Sequence, residues 1–427
     1  MRIGLPVAVA AASLLAAPAR GDVVQASSTT VVTGGELWRA GDSKVAVPVY
    51  EILSVSASEM RTAMGEFEAV LSAWGAVDAG PIRFWQNGAP AGSRASGDVD
   101  VGYLKGDLLG RRLGFRLGRQ VVIEGTARML HLDGGQVVLR LPAGFGLSGY
   151  AGAPVYPRFD ARGTELATGN TAGDLAYGGR ISWQRAGLLT LGASASMADA
   201  GGEATRREVG ADFRLTPIHL LELAGSGFYA TDEKRIGQAD VSANVRVART
   251  VSLVVDYGHV EPDLFLARNS ILSVFAADKR NEAGAGLHWT PRRTVVVDAD
   301  YHFLGAEDGN GGRGRLRASF RPYGQGVVGA DLQVLKIPDN GYWQIRLFGS
   351  REWGRTSGTL DLWIYRYDNQ VNGQDQSIGG TATGGWQIAP AWKVLVAATA
   401  GSDPFFKSRL DVMAKLAWTQ TYVREVR

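Results

Sequence analysis

Apolar and polar residues alternate one by one along most of this chain. Between Ala176 and Arg185, the residues Tyr177, Ile181 and Trp183 interleave with Arg180, Ser182 and Gln184. The pattern returns after Glu208, where Val209, Ala211, Phe213 and Leu215 alternate with Asp212 and Arg214. It returns after Asp240 (Val241, Ala243, Val245, Val247), after Glu282 (Ala283, Ala285, Leu287, Trp289) and from Val295 (Val297, Ala299, Tyr301, Phe303). Successive side chains on a strand point to opposite faces, so each segment predicts a strand with one apolar and one polar face.

A soluble sandwich alternates in the same way, and three further features separate the two. The segments commonly run to about ten residues, the length a tilted strand needs to cross a bilayer. Their polar face carries Arg and Asp deep within the segment, which suits an enclosed aqueous space. The joints alternate in length. Short ones, such as Arg185-Ala186-Gly187, Thr216-Pro217, Ala248-Arg249-Thr250, Thr290-Pro291-Arg292-Arg293, Arg321-Pro322-Tyr323-Gly324 and Ala389-Pro390-Ala391, carry residues suited to tight turns. Those between them, for example 306–313 and 368–377, read as longer polar outer loops, the asymmetry of outer-membrane barrels.

Hairpins counted from about Glu66 to about Thr419 give about 20 strands, or about 18 if one irregular N-terminal pair merges. The expected fold is therefore all-β, an antiparallel transmembrane β-barrel of about 18–20 strands over residues 61–427. Residues 20–60 alternate more weakly and read as a periplasmic or lumenal segment ahead of the wall. Closure follows because an open sheet edge in hydrocarbon leaves backbone groups without partners. Trp289, Tyr301, Phe320, Tyr323, Tyr342, Trp343, Trp353, Trp386 and Trp392 fall near segment ends and are expected to form girdles at headgroup level.

The N-terminus adds an export signal. Arg2, the apolar stretch 5–17 and Ala17-Pro18-Ala19 make a cleavable signal peptide over 1–19. No later run is long and apolar enough for a membrane helix. The chain has no Cys, which excludes a disulfide scaffold and a lipidated Cys anchor, and only five scattered His. Fifty-seven Gly with 11 Trp, 13 Tyr and 14 Phe fit an architecture of many strands and tight turns. A net charge of +3 gives no reason to invoke nucleic acid.

Phe115-Arg116-Leu117-Gly118-Arg119-Gln120, followed by Leu132-Asp133-Gly134, is similar to a stretch of alginate-export-like and related porin barrels, in which a G-R-Q strand end leads through an outer loop to a D-G. The whole mature chain resembles that porin type. The resemblance implies passive or substrate-selective diffusion, and insertion by the barrel assembly machinery, which reads a terminal aromatic. Here Leu416, Trp418 and Tyr422 alternate, and Val423-Arg424-Glu425-Val426-Arg427 follow.

Other motifs have blander readings. Gly144-Phe145-Gly146-Leu147-Ser148-Gly149 matches G-x-G-x-x-G, but Tyr150-Ala151-Gly152-Ala153-Pro154 follows in place of a helix, so it reads as a tight turn and a Gly-rich strand. The stretch 368–375 is similar to a calcium loop but lacks its terminal Glu, and reads as a solvated outer loop. No nucleophile elbow or H-E-x-x-H occurs, and His219 and His259, both assigned to strands, have no catalytic partners. No metal, cofactor or catalysis is implied.

Two sets of residues carry the functional expectation. Arg116, Arg180, Arg214, Arg246, Arg315, Arg317, Arg346, Asp298 and Asp300 are expected to line the pore, with Arg315 and Arg317, two apart, as an anion-attracting patch. The loop 261–280 is unusually apolar. Asp263, Leu264, Phe265, Asn269 and Phe275 are the candidates for a segment that folds back to narrow the pore, as against a cap of loops above the barrel. The chain thus reads as an outer-membrane channel for small hydrophilic solutes in a Gram-negative bacterium. A closed barrel with a structural or adhesive role is the alternative, and the oligomeric state is left open.

Overall fold

The computed structural model describes residues 23–39, 42–80, 95–125, 130–155, 174–200, 203–265, 279–322, 326–338 and 340–423. Residues 1–19, expected to be a signal peptide, Tyr323 and most of the 261–280 loop lie outside the described residues. The chain forms one antiparallel sheet in which each strand pairs with its sequence neighbours. The first strand, Val23–Arg39, closes the ring. It pairs with Pro48–Arg61 on one side and with Phe406–Val423 on the other. The short strand Asp42–Ala46 prolongs Pro48–Arg61 in the same register, since Val32 faces Val49 and Gly35 faces Ala46. The interruption falls at Pro48, which has no N–H to give to a ladder. The wall is a closed barrel of twenty-two strands.

From Gly65–Asp78 to Phe406–Val423 the strands match the twenty counted from the sequence. The extra two come from residues 23–61, expected ahead of the wall and found in it. The outer joints also depart from expectation. Strands Val295–Ala306 and Gly309–Phe320 are joined by two residues, as are Thr356–Val371 and Gln374–Ala389, so 306–313 and 368–377 are not long loops. Asn372 and Gly373 both have positive φ (50° and 78°), the geometry of a tight hairpin turn. His219 sits in a turn as well, between Glu203–Ile218 and Leu221–Ala230. Pro142–Gly144 is a single 3-10 turn leading into strand Phe145–Pro154, so the G-x-G-x-x-G stretch is a turn and a strand. A Cβ at Gly144 would lie 1.9 Å from the Gln184 carbonyl oxygen, which together with φ +83° makes glycine obligatory there.

The two faces of the wall differ in chemistry and in crowding. Val255 (57 % exposed), Leu316, Leu347 (52 %), Leu360 and Leu410 stand out from one face without apolar cover. A soluble protein does not leave so many large apolar groups in water, and lipid is the solvent that suits them. Trp289, Phe320, Trp353, Trp386 and Trp392 stand on this outer face near the short turns, with Trp392 6.3 Å from Trp418, while Tyr301 and Phe303 stand near the opposite rim. These are two aromatic girdles. Tyr342 belongs to neither, because the register turns it to the inner face while Trp343 points outward. On the concave inner face Ser194, Ser196, Glu208, Phe228, Leu304 and Asp331 are buried by their neighbours.

The outer face also carries an acid within a strand. Glu51 pairs in register with Thr30, and the hydroxyls of Ser28 and Thr30, on the neighbouring strand, donate to its two oxygens at 2.5 Å each. Those bonds satisfy a carboxyl that lipid would not.

The lipid-facing assignment predicts that Leu347→Arg, near mid-strand, costs about 2–4 kcal/mol in reversible unfolding from lipid vesicles. Thr383→Lys, on the inner face, should cost little. Equal costs would mean that the faces are assigned wrongly.

Candidate functional site

The inner face is built by register. Strand Val295–Ala306 sets Asp298 opposite Arg317, Asp300 opposite Arg315 and His302 opposite Arg313 on Gly309–Phe320. The next pairing sets Arg317 opposite Asp331 on Gly326–Lys336, and the one after sets Asp331 opposite Arg346 on Tyr342–Trp353. The parity of each strand therefore collects the charges on one side, and antiparallel pairing brings opposite signs together.

Most of these charges are paired. Arg315 makes a two-toothed bond with Asp331 (Nε to Oδ1 3.0 Å), and Arg346 does the same with Asp361 (Nε to Oδ1 2.8 Å). Arg313 bonds Glu282 at 2.6 Å, Arg180 bonds Asp212 at 2.5 Å and Arg214 bonds Glu222 at 2.8 Å. His288 meets Asp298 at 2.6 Å, and His302 sits between Asp256 (3.1 Å) and Asp300 (3.4 Å). Pairs like these contribute little stability in water. Their effect is to cancel charge along the wall and to fix long side chains against it.

Three candidate arginines stand apart from this pattern. Arg317 has no carboxylate within ion-pair distance among the described residues, and its guanidinium lies 4.7 Å over the Phe348 ring. Arg315, expected to act with it, is neutralised by Asp331. Arg116 donates to the Val121 carbonyl at 3.3 Å and lies 4.8 Å over Tyr103. Arg246 is exposed near the short-turn end. Of the expected constriction segment, Pro262–Phe265 forms one 3-10 turn with Leu264 half-buried, and Asn269 and Phe275 lie outside the described residues. The calcium reading of 368–375 has no support, since Asp368 bonds Lys336 at 2.6 Å.

A different inward element escaped the sequence reading. After strand Leu113–Val122 the chain turns into the barrel at 123–125. Glu124 accepts from Gln136 Nε2 at 2.7 Å and from the Ser148 hydroxyl. Gly125, with φ +58°, packs so closely on the strands beyond that a Cβ would lie 2.8 Å from Arg180 Cδ and 2.9 Å from Ser194 Cβ. Gln120, Val122, Leu132 and Tyr150 are buried near this crossing. The residues of the G-R-Q and D-G stretches meet beside it. Arg119 makes a two-toothed bond with Asp133 (2.7 and 2.8 Å) and reaches Asp98 at 3.1 Å, while Gln120 donates to the Gly134 carbonyl at 3.2 Å. The available signal was an acid followed by glycine directly after a strand, which is too common to single out.

No model of a known protein family matches the chain, and no curated protein does. Solved structures do. A mutant of the ferric enterobactin receptor PfeA from Pseudomonas aeruginosa is 8% identical, with 92% of this chain and 80% of that one covered at a TM-score of 0.55. OccAB4 of Acinetobacter baumannii (7% identical, 95% and 99% covered, TM-score 0.47) and the outer membrane protein OpdK of P. aeruginosa (10%, 94% and 99%, 0.45) are similar at a coarser level. At such identities the likeness is one of fold. What the chain shares with them is a large closed antiparallel β-barrel, here with an apolar exterior and a polar interior.

Removing the anchor of the inward segment, in Glu124→Ala, is expected to free 123–125 from the wall and raise single-channel conductance in planar bilayers. Conductance equal to that of the unaltered protein would show that this segment does not obstruct the lumen.

Proposed function

We propose that this barrel is a non-catalytic channel through which small hydrophilic solutes diffuse across the outer membrane. The observation that carries the reading is a closed wall whose interior is lined by charged and hydroxylated side chains and not by a packed apolar core. Strands about 4.8 Å apart and tilted by about 40° give a twenty-two-strand wall a radius of roughly 20 Å, and lining side chains leave a bore roughly 25 Å across. Water fills such a space, and no cofactor is needed to move solutes through it. Solute size is limited by whatever projects inward, and the 123–125 segment is one such element.

The nine candidate lining residues act in this reading as a wall of largely balanced charge in which Arg116, Arg246 and Arg317 leave a small cationic excess. The loop 261–280 is assigned a second narrowing role, and residues 1–19 a cleaved export signal. Outer-membrane lipid surrounds the apolar face, and the assembly machinery inserts the chain.

Purified protein in planar bilayers should give stepwise conductance, and in proteoliposomes it should admit neutral solutes in swelling assays. A barrel that folds in detergent, shifts its gel mobility on heating and yet conducts nothing would overturn the proposal. Deleting 263–275 should raise the conductance step if that loop narrows the lumen. Asp361→Asn, which releases Arg346 from its partner, is expected to move the zero-current potential in a KCl gradient toward anion preference. No shift would show that the wall charges lie too far from the permeating ions to select among them.

A further inference from the structure

A lumen wall is ordinarily polar, and aromatic side chains on it are out of place. Five gather on the inner face of two adjacent strands, Tyr342–Trp353 and Thr356–Val371. The register faces Tyr342 with Tyr367, Gln344 with Tyr365 and Arg346 with Trp363, and Phe348 lies next in line opposite Asp361. The Tyr342 and Tyr365 rings meet edge to face at 5.5 Å. Nothing apolar encloses them as in a protein core. All five are half-buried, so each ring keeps an edge or face toward the lumen.

The neighbouring strand, Gln374–Ala389, sets small groups opposite these rings. Tyr365 faces Ser377, Trp363 faces Gly379 and Asp361 faces Thr381. A Cβ at Gly379 would lie 2.9 Å from the Trp363 ring, so the indole rests against bare backbone there. Beyond it Thr381 and Thr399 share a hydroxyl hydrogen bond at 2.8 Å. The result is a shallow trough with an aromatic bank and a hydroxyl-bearing floor. The Trp363 indole N–H, the Tyr342 and Tyr365 hydroxyls and the Gln344 amide form no hydrogen bond to a described residue. The charges beside the trough, Arg346 and Asp361, satisfy each other.

We infer that this trough is a binding track for uncharged saccharides, which deepens the channel reading and rests on it. A pyranose ring offers a flat C–H face to an aromatic side chain and a rim of hydroxyls to Tyr, Gln and Thr, and it needs no compensating charge. Arg346 is already occupied by Asp361. The guanidiniums of Arg317 and Arg346 both lie over the Phe348 ring, at 4.7 and 5.7 Å, so the unpaired cation stands at the Phe348 end and the ring faces left for a solute are those of Trp363 and the tyrosines.

The test uses maltotriose as the probe, on the full-length protein in planar bilayers. Maltotriose should block the KCl current in a saturable manner, and a polyethylene glycol of equal size should not. Trp363→Ala with Tyr365→Ala should weaken the block about tenfold, and a KCl step that is still seen reports that the barrel remains folded and open. Trp363→Phe should retain most of the block, which separates loss of the ring from damage to the fold. Block by the polyethylene glycol equal to that by maltotriose, or block unaltered in the double variant, would overturn the track and leave the channel standing. A trisaccharide of uronic acids that blocks more tightly than maltotriose would overturn it in favour of charge recognition. Absence of any KCl conductance would sink the channel reading itself.

Discussion

The barrel rests on one requirement: a backbone N–H or C=O in hydrocarbon must have a partner, and only a sheet without edges supplies one for every strand. The chain meets it by bringing its first described strand beside its last. Val23–Arg39 pairs with Phe406–Val423 over twelve consecutive positions, from Val23 with Val423 to Gly34 with Val412. The contact of greatest sequence separation is thus the one that removes both edges. The same strand pairs with the hairpin that follows it, so one segment serves the start and the closure of the ring. Once the ring is shut, inside and outside are set for every residue by parity alone.

Parity then separates two problems that a soluble core must solve together. The outer face needs only to be apolar, and the packing of Leu347 or Val255 against lipid imposes no jigsaw fit. The inner face meets water and is crowded by curvature, so small or mutually satisfied groups are favoured there. Complementary ladders such as Glu282–Arg313, Asp331–Arg315 and Asp361–Arg346 meet both demands. Where either face breaks its rule, the break is locally answered. Glu51 faces outward with two hydroxyl donors, and Gly125 lets the inward segment approach Arg180 and Ser194.

How much of this the sequence shows depends on the contrast between neighbouring residues. From Leu175 onward the apolar positions are large and the polar ones charged, and the strands are plain. Residues 23–61 hide theirs, because the outward positions Ala26, Ser28, Thr30 and Glu51 are small or polar and the period of two fades, although the strands are there. Tyr342 and Trp343 show the opposite failure. Two adjacent aromatics fit either face equally, and only the pairing with Tyr367 and Arg366 decides which points inward. Loop length misled for a related reason. Asp, Asn and Gly near a strand end read as loop, whereas Asn372-Gly373 makes a two-residue turn, Val371 pairs with Gln374, and the polar residues 368–370 form a bulge within the strand. The inward crossing at 123–125 depends on contacts with strands far along the chain, which no local pattern encodes.

The width that follows from strand number changes what selectivity can mean. In a narrow barrel a solute touches opposite walls at once, and a ring of charges at one level governs what passes. A bore roughly 25 Å across exceeds twice the Debye length at physiological salt, about 8 Å, so an ion near the axis is screened from the wall. Balanced ladders reduce the field further. Wall charges then act only on ions within about a Debye length of them, and discrimination among uncharged solutes has to come from adsorption to one side, where a solute exchanges water for ring faces and hydroxyls. A local cluster like that of Trp363 and Tyr365 can do this without any residue on the far wall. Inward elements such as 123–125 act by a second route, since they restore contact between solute and wall by reducing the space between them.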